Sequence, residues 1–277
     1  MSLAVIDSHL HFFALDKGQY QWLKHSAPAW PNLSRIQQNH SLATIPPSSQ
    51  FTLSHFIHVE AGFDNHAPVN ELNWLAETQP SVPYKAVSHA HIDAPPEQFA
   101  TALAALKHRS LVAIRDITQG SDGCRLLSPQ VIENIQQLNR AGLHFEAQLE
   151  FSQTQLCDAF LQRLEANPDL KVVFNHAGFI DRHHHATSLL RRCGALPNVM
   201  LKCSGNEMLA QPQPTSQWLM HLLEQVGEDS LMLGSNFPIV LSAKEYWQVW
   251  QDYLAALGHS STWEKLSQTN AKRCYGL

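Results

Sequence analysis

Short apolar runs alternate with amphipathic stretches along the whole chain. Eight runs read as strands: Val5–Asp7, Phe51–Val59, Tyr84–Ile92, Leu111–Ile117, Leu143–Leu149, Lys171–His176, Val199–Ser204 and Leu231–Ser235. Between and after them the apolar positions recur at helical spacing, over Pro68–Glu77, Pro95–Lys107, Val131–Leu138, Gln155–Glu165, Ala186–Arg192, Thr215–Val226, Lys244–Ala256 and Thr262–Lys272. In Thr215–Val226, for example, Trp218, Leu219, Leu222, Leu223 and Val226 fall on one face. Ser128-Pro129 ahead of Val131 and Gly142 beyond Leu138 mark a helix start and stop. Strands alternating with helices mean parallel strands joined by crossover helices. Eight such units predict an α/β fold of the (β/α)8 TIM-barrel class, one domain over residues 1–277. An open doubly wound sheet is the alternative. No G-x-G-x-x-G turn follows a strand to support it.

One stretch breaks the rhythm. Ala14–Gln50, after the first strand, is rich in Pro, Asn, Gln, Ser and His, and carries Tyr20, Trp22 and Trp30. Loops of this length in a compact domain are functional or disordered. The aromatics favour an ordered lid or pocket wall. The triplet His183-His184-His185, after Asp181-Arg182, reads as a solvated turn rather than a metal site.

Composition narrows the class. With 44% hydrophobic and 16% charged residues, the chain suits one large globular domain. A formal charge of -5 gives no bulk attraction for nucleic acid. No run of 18 or more apolar residues predicts a membrane span, and no basic-then-apolar start predicts a secretory leader. Five dispersed cysteines without a C-x-x-C pair read as reduced thiols, and hence a cytoplasmic protein. Seventeen histidines is a high count, though most are scattered.

In barrels of this class the active site forms at the C-terminal ends of the strands. In strand order, those ends carry His9 and His11; His58 and Glu60; His89 and His91; Arg115 and Asp116; Glu146, Gln148 and Glu150; Asn175 and His176; Lys202 and Ser204; Ser235 and Asn236. Ionisable groups on buried strands are costly unless paired or bound to something, so their convergence is itself a site hypothesis. By strand alternation Asp7, His9 and His11 share one side, with about 7 Å between the two imidazoles. Such a pair can grip one ion or one substrate group. Each residue also has a plainer reading. The two histidines are then polar residues leaving a strand, Arg115 and Asp116 are salt-bridged in the wall, Lys202 snorkels to the rim, and Glu146 turns outward to hold a helix.

Asp7-x-His9-x-His11, Asn175-His176-Ala177-Gly178, Lys202-Cys203-Ser204-Gly205 and Gly234-Ser235-Asn236-Phe237-Pro238 resemble the amidohydrolase-related family of metal-dependent TIM-barrel hydrolases. Its members include sugar-acid and dicarboxylate lactonases. The resemblance runs nearly end to end, through Tyr20-Gln21-Trp22-Leu23, Ala113-Ile114-Arg115 and the closing Asn270-Ala271-Lys272-Arg273-Cys274-Tyr275. It implies a hydrolase acting on a small sugar-acid or dicarboxylate lactone. His9 and His11 would hold one divalent ion, zinc foremost. His176, completing the ligand set or hydrogen-bonding the oxyanion, would be catalytic with Asn236 and Arg115, and Trp22, Glu60, Gln148 and Lys202 would bind the small-molecule substrate. Catalysis without metal stays open, with His9, His11 and His176 donating to the oxyanion. The segment 14–50 and the rim residues Asn206, Glu207 and Met208 would shape the pocket.

Two positions depart from the family pattern. The last strand of the family commonly ends Gly-Ser-Asp-Trp-Pro, and here Asn236 replaces that Asp, the expected base or metal partner. An amide has no useful basicity at pH 7. Glu60 is the carboxylate best ranked to stand in. Many members also follow the fourth-strand Arg with His, where this chain has Asp116. The rival readings are decarboxylation of an aromatic acid or amide hydrolysis on the same barrel, and a non-catalytic metabolite-binding protein with a degenerate site. The sequence carries no sign of oligomeric state.

Overall fold

The structure is a computed structural model that describes residues 2–78, 80–180 and 186–277. The triplet His183-His184-His185 lies outside the described residues. Eight strands run in sequence order around one sheet: β1 (Leu3–Leu10), β2 (Phe51–Val59), β3 (Tyr84–His89), β4 (Leu111–Ile117), β5 (His144–Gln148), β6 (Val172–Phe174), β7 (Val199–Cys203) and β8 (Leu231–Leu233). Each consecutive pair is parallel, from β1–β2 round to β7–β8. The ring is drawn together between β1 and the segment after β8. Asn236 N donates to His9 O at 2.8 Å and His11 N to Phe237 O at 2.6 Å. This is the expected α/β barrel.

The apolar residues divide by strand alternation. Val5, Phe56, Ile114, Phe145, Phe174 and Leu201 face the surrounding helices in the larger core. Ile6, Ile57, Val59, Val87, Ala113, Val173 and Met232 form the smaller one together with Ala271 and Tyr275 from the closing helical run 261–275. Gly142 stops the helix Val131–Arg140 in a left-handed conformation (φ 72°), as its position after the apolar run predicts.

Two expectations at the barrel are corrected. β1 runs to Leu10 instead of stopping at Asp7, and its register with β2 shifts between Asp7 and Leu10. That irregularity breaks the alternation. The Asp7 carboxylate therefore turns away from the histidines and accepts from Tyr246 Oη at 3.1 Å, on the helix Tyr246–Leu257. Lys202 does not snorkel to the mouth. It is fully buried and its Nζ lies 2.6 Å from Glu146 Oε2. Glu146, for its part, does not turn outward to hold a crossover helix. It also accepts from Asn175 Nδ2 (2.8 Å) and from Tyr275 Oη (2.8 Å). A charged group in this interior needs such partners, because desolvation of an unpaired ion costs several kcal/mol.

The segment 14–50 is ordered, with short helical turns at Gln21–His25, Leu33–Ile36 and Leu42–Thr44. Phe13, Tyr20, Leu23 and Ile36 bury one another against Ala61 and Ile239. Tyr20 Oη accepts from Ala14 N at 2.9 Å, and Phe13 bridges to His40. The aromatics that set this stretch apart in sequence pack it as a wall beside the strand ends.

Candidate functional site

A cavity of about 990 Å³ opens at the C-terminal ends of the strands. Expected residues from six strands line it: His11 past β1, Glu60 past β2, Arg115 on β4, Gln148 at the end of β5, His176 past β6 and Asn236 past β8. Trp22 and Trp30 add aromatic surface from the wall, their rings meeting edge-on at 6.2 Å. Trp22 Nε1 donates to Ala61 O at 2.8 Å, which fixes the ring. His9 and Lys202 are absent from the lining. His9 lies beneath His11 with no exposed surface, and Lys202 serves Glu146, so the substrate-binding role expected of Lys202 is corrected.

Three histidines meet at the floor. His9 Nε2 and His11 Nε2 are 3.3 Å apart, and the His9 and His176 ring centroids are 4.5 Å apart. His11 Nδ1 donates to Val59 O at 2.7 Å, which leaves its Nε2 bearing the lone pair. His176 Nδ1 pairs with Ser204 Oγ at 3.0 Å, leaving its Nε2 unengaged by this bond. All three are held neutral. Burial pushes the His9 and His11 pKa values well below the ordinary value, helped by His176 and Lys202 around His9 and by Arg115 beside His11. Burial, Arg115 and Lys202 push His176 down to about 3.

The backbone presenting these groups is strained. His176, Ala177 and Phe179 have positive φ of 53°, 48° and 54°, and Asn236 has 59°. Left-handed non-glycine residues cost about 1 kcal/mol or more each and cluster at functional sites. Gly205 has room for no side chain, because a Cβ there would come within 2.5 Å of His176 Nδ1. Asp7 braces the floor from behind, accepting from His9 N at 3.1 Å and Ser235 N at 2.9 Å. Burial pushes its carboxyl up to about 6.

The charged residues facing the cavity pair with one another. Arg115 Nε donates to Glu60 Oε1 at 2.7 Å and its Nη1 to Gln148 Oε1 at 3.0 Å. Burial alone would raise the Glu60 pKa, but the guanidinium outweighs it and the net shift is downward. Glu60 is thus a partner for Arg115 and a poor substitute for the carboxylate missing at Asn236. At the rim, Arg125 Nη2 lies 2.6 Å from Asp93 Oδ1, 2.5 Å from Asp116 Oδ2 and 3.1 Å from His91 Nδ1. Asp116 also accepts from Ile92 N at 2.9 Å. Asn236 Nδ2 donates to Glu207 Oε1 at 2.6 Å. Arg125 and Asp93 escaped the sequence reading because they sit in connections, outside the strand ends. Glu207 was visible only as one of three rim residues after Gly205.

The donor geometry tests whether a metal fits. Two nitrogens on one tetrahedral zinc lie about 3.3 Å apart, which matches His9 Nε2 and His11 Nε2. Among the described residues no carboxylate joins them in a ligand group. Among the described residues, the trio of ligand-type side chains lying within 4.8 Å of one another is His91, Asp93 and Asp116. The Arg125 guanidinium already occupies that trio. The histidine pair therefore offers two ligands of a shell, and the rim trio requires Arg125 to leave.

Comparison with known proteins places the chain. A family described as amidohydrolase matches residues 6–277. An uncharacterised protein of Sinorhizobium fredii is 24% identical over 91% of this chain and 90% of its own. The crystal structure of an amidohydrolase from Burkholderia multivorans with bound zinc superposes with a TM-score of 0.76, at 21% identity over 99% of both chains. A putative 2-pyrone-4,6-dicarboxylic acid hydrolase from Pseudomonas putida superposes at 0.68, with 19% identity over 100% of this chain and 98% of that one. The likeness to the two structures is one of fold. The family match over nearly the whole length means that this chain belongs to the amidohydrolase family.

Proposed function

Taking membership of the amidohydrolase family as the premise, we propose that the protein is a lactonase acting on an uncharged, polyhydroxylated lactone of the sugar-acid type. The charge of the cavity carries this choice. Among the described residues its lining holds four carboxylates (Glu60, Asp116, Asp122, Glu150) against two guanidiniums. Both guanidiniums are already bound by carboxylates. A dicarboxylate ligand would meet no free cation and a surplus of negative charge. A neutral polyol lactone meets acceptors and amides for its hydroxyls, and the Trp22 and Trp30 faces for its C–H surface. The product is a sugar-acid anion, which the same charge expels.

The chemistry adds water across the acyl C–O bond. A water bonded to the Asn236 side chain attacks the carbonyl carbon and donates a hydrogen bond to His11 Nε2, whose lone pair is fixed by Val59; with its pKa held well below the ordinary value, the ring orients the water rather than keeping its proton. The His176 imidazole donates from Nε2 to the oxyanion, a role suited to a ring held neutral in a buried site. Collapse breaks the ring C–O bond, and the proton passes to the leaving hydroxyl. A divalent ion, when bound, supplies Lewis-acid polarisation of the carbonyl, and His9 and His11 are its two available ligands. No step above depends on it.

A pH-indicator screen of sugar-acid and dicarboxylate lactones, with and without Zn²⁺, tests the proposal. Turnover confined to the neutral lactones is expected, and His176→Ala should lower kcat by about 10²-fold, the loss typical of one oxyanion donor. Preferred turnover of a dicarboxylate would refute the charge argument. Binding of a neutral lactone by calorimetry without turnover would favour the non-catalytic reading that Asn236 supports.

A further inference from the structure

Asn236 has two chemically opposite ends of nearly equal size. Its backbone is pinned: its N–H donates to His9 O at 2.8 Å and its carbonyl accepts from Val240 N at 3.1 Å. What remains free is a half-turn of the amide, which decides whether an acceptor or a donor faces the cavity. We propose that Glu207 is the positioning residue that makes this choice: as a carboxylate it can only accept, so it holds Nδ2 and leaves Oδ1 as the acceptor for water or a substrate hydroxyl. As a carboxylic acid it becomes a donor and favours the reversed amide, which closes the site to that water.

The surroundings leave Glu207 free to switch. No lysine or arginine among the described residues lies within ion-pair distance of it. Lys244 is the cation facing it, but its Nζ is turned to Asp252 at 2.6 Å. Tyr253 also faces it, and its hydroxyl is committed to Cys203 O and Gly234 O. Burial pushes the Glu207 carboxyl up to about 7 against the opposing Asn236 bond. Glu207 lines a separate cavity of about 100 Å³ with Thr215, Trp218 and Lys244, and is not among the residues lining the main pocket. The three floor histidines are neutral across this range, so they contribute no titration near pH 7.

Side-chain NMR of ¹⁵N-labelled protein tests the switch without needing a substrate. The Asn236 NH₂ resonances are identified as the pair lost in Asn236→Asp. They should shift with a midpoint between about pH 6 and 8 in the unaltered protein, and the shift should vanish in Glu207→Gln, whose amide supports either orientation. Resonances that stay fixed between about pH 5 and 9, or a titration that persists in Glu207→Gln, would overturn the proposal; the second would trace it to Asp7 instead. Kinetics add an arm that rests on the lactonase reading. There kcat should fall about tenfold per pH unit below the midpoint, with KM changed less than about twofold, and Glu207→Gln should remove that limb. If no lactone is turned over, the proposed function fails and the NMR result still decides the role of Glu207.

Discussion

Glu146, fully buried, and Glu207, partly buried, are two carboxylates of one barrel, and they shift in opposite directions. Glu146 lies inside the strands, where burial would raise its pKa. Lys202 and His144 outweigh that, and it stays ionised far below the ordinary carboxylate range. Glu207 hydrogen-bonds to a neutral amide and has no ion-pair partner among the described residues, so desolvation prevails. The comparison separates two jobs. Burial sets the electrostatic cost, and the charge of the partner decides whether a buried carboxylate is a fixed strut or a titrating switch.

The sharpest way to break the comparison is to remove the counter-charge. Lys202→Met strands Glu146 in the barrel, and urea denaturation should show a loss of about 3–5 kcal/mol. A loss below about 1 kcal/mol would mean that Asn175 and Tyr275 suffice and that the lysine charge is incidental. A smaller effect comes from Tyr275→Phe, which deletes a neutral donor to the same carboxylate and should cost about 1–2 kcal/mol in the same measurement. The least is Glu207→Gln, which should stabilise. The folded pKa of about 7 lies above the ordinary 4.5, so the folded state binds a proton more tightly and loses stability as pH rises through that window. Melting curves should therefore show the variant ahead by about 1 kcal/mol or less at pH 8, with the gap closing towards pH 4.5. Glu146 has the opposite sign: its contribution is present above the ordinary 4.5 and fades as pH falls towards its lower folded value.

The architecture was legible because alternation of strand and helix needs only local pattern, and each of the eight apolar runs became a strand. The site was legible where chemistry stood at a strand end, as with His11, Arg115, His176 and Asn236. It failed on depth. Strand alternation says that Lys202 faces inward, but not that it sits beside Glu146 below the cavity. It failed again at Asp7, because a register shift in β1 is a property of the pairing with β2 and leaves no mark in the run itself. Arg125 and Glu207 depend on the path of connections, which juxtapose residues far apart in sequence: Glu207 meets Asn236 across 29 positions.

Tyr275 has a consequence for how the protein is made. Glu146 and Lys202 are translated well before the helix that carries its third donor. Until that helix leaves the ribosome, the sheet has an ion pair at its centre and no Tyr275 to cap it from below. A nascent chain that has not yet reached Tyr275 therefore holds the Glu146–Lys202 ion pair without this donor.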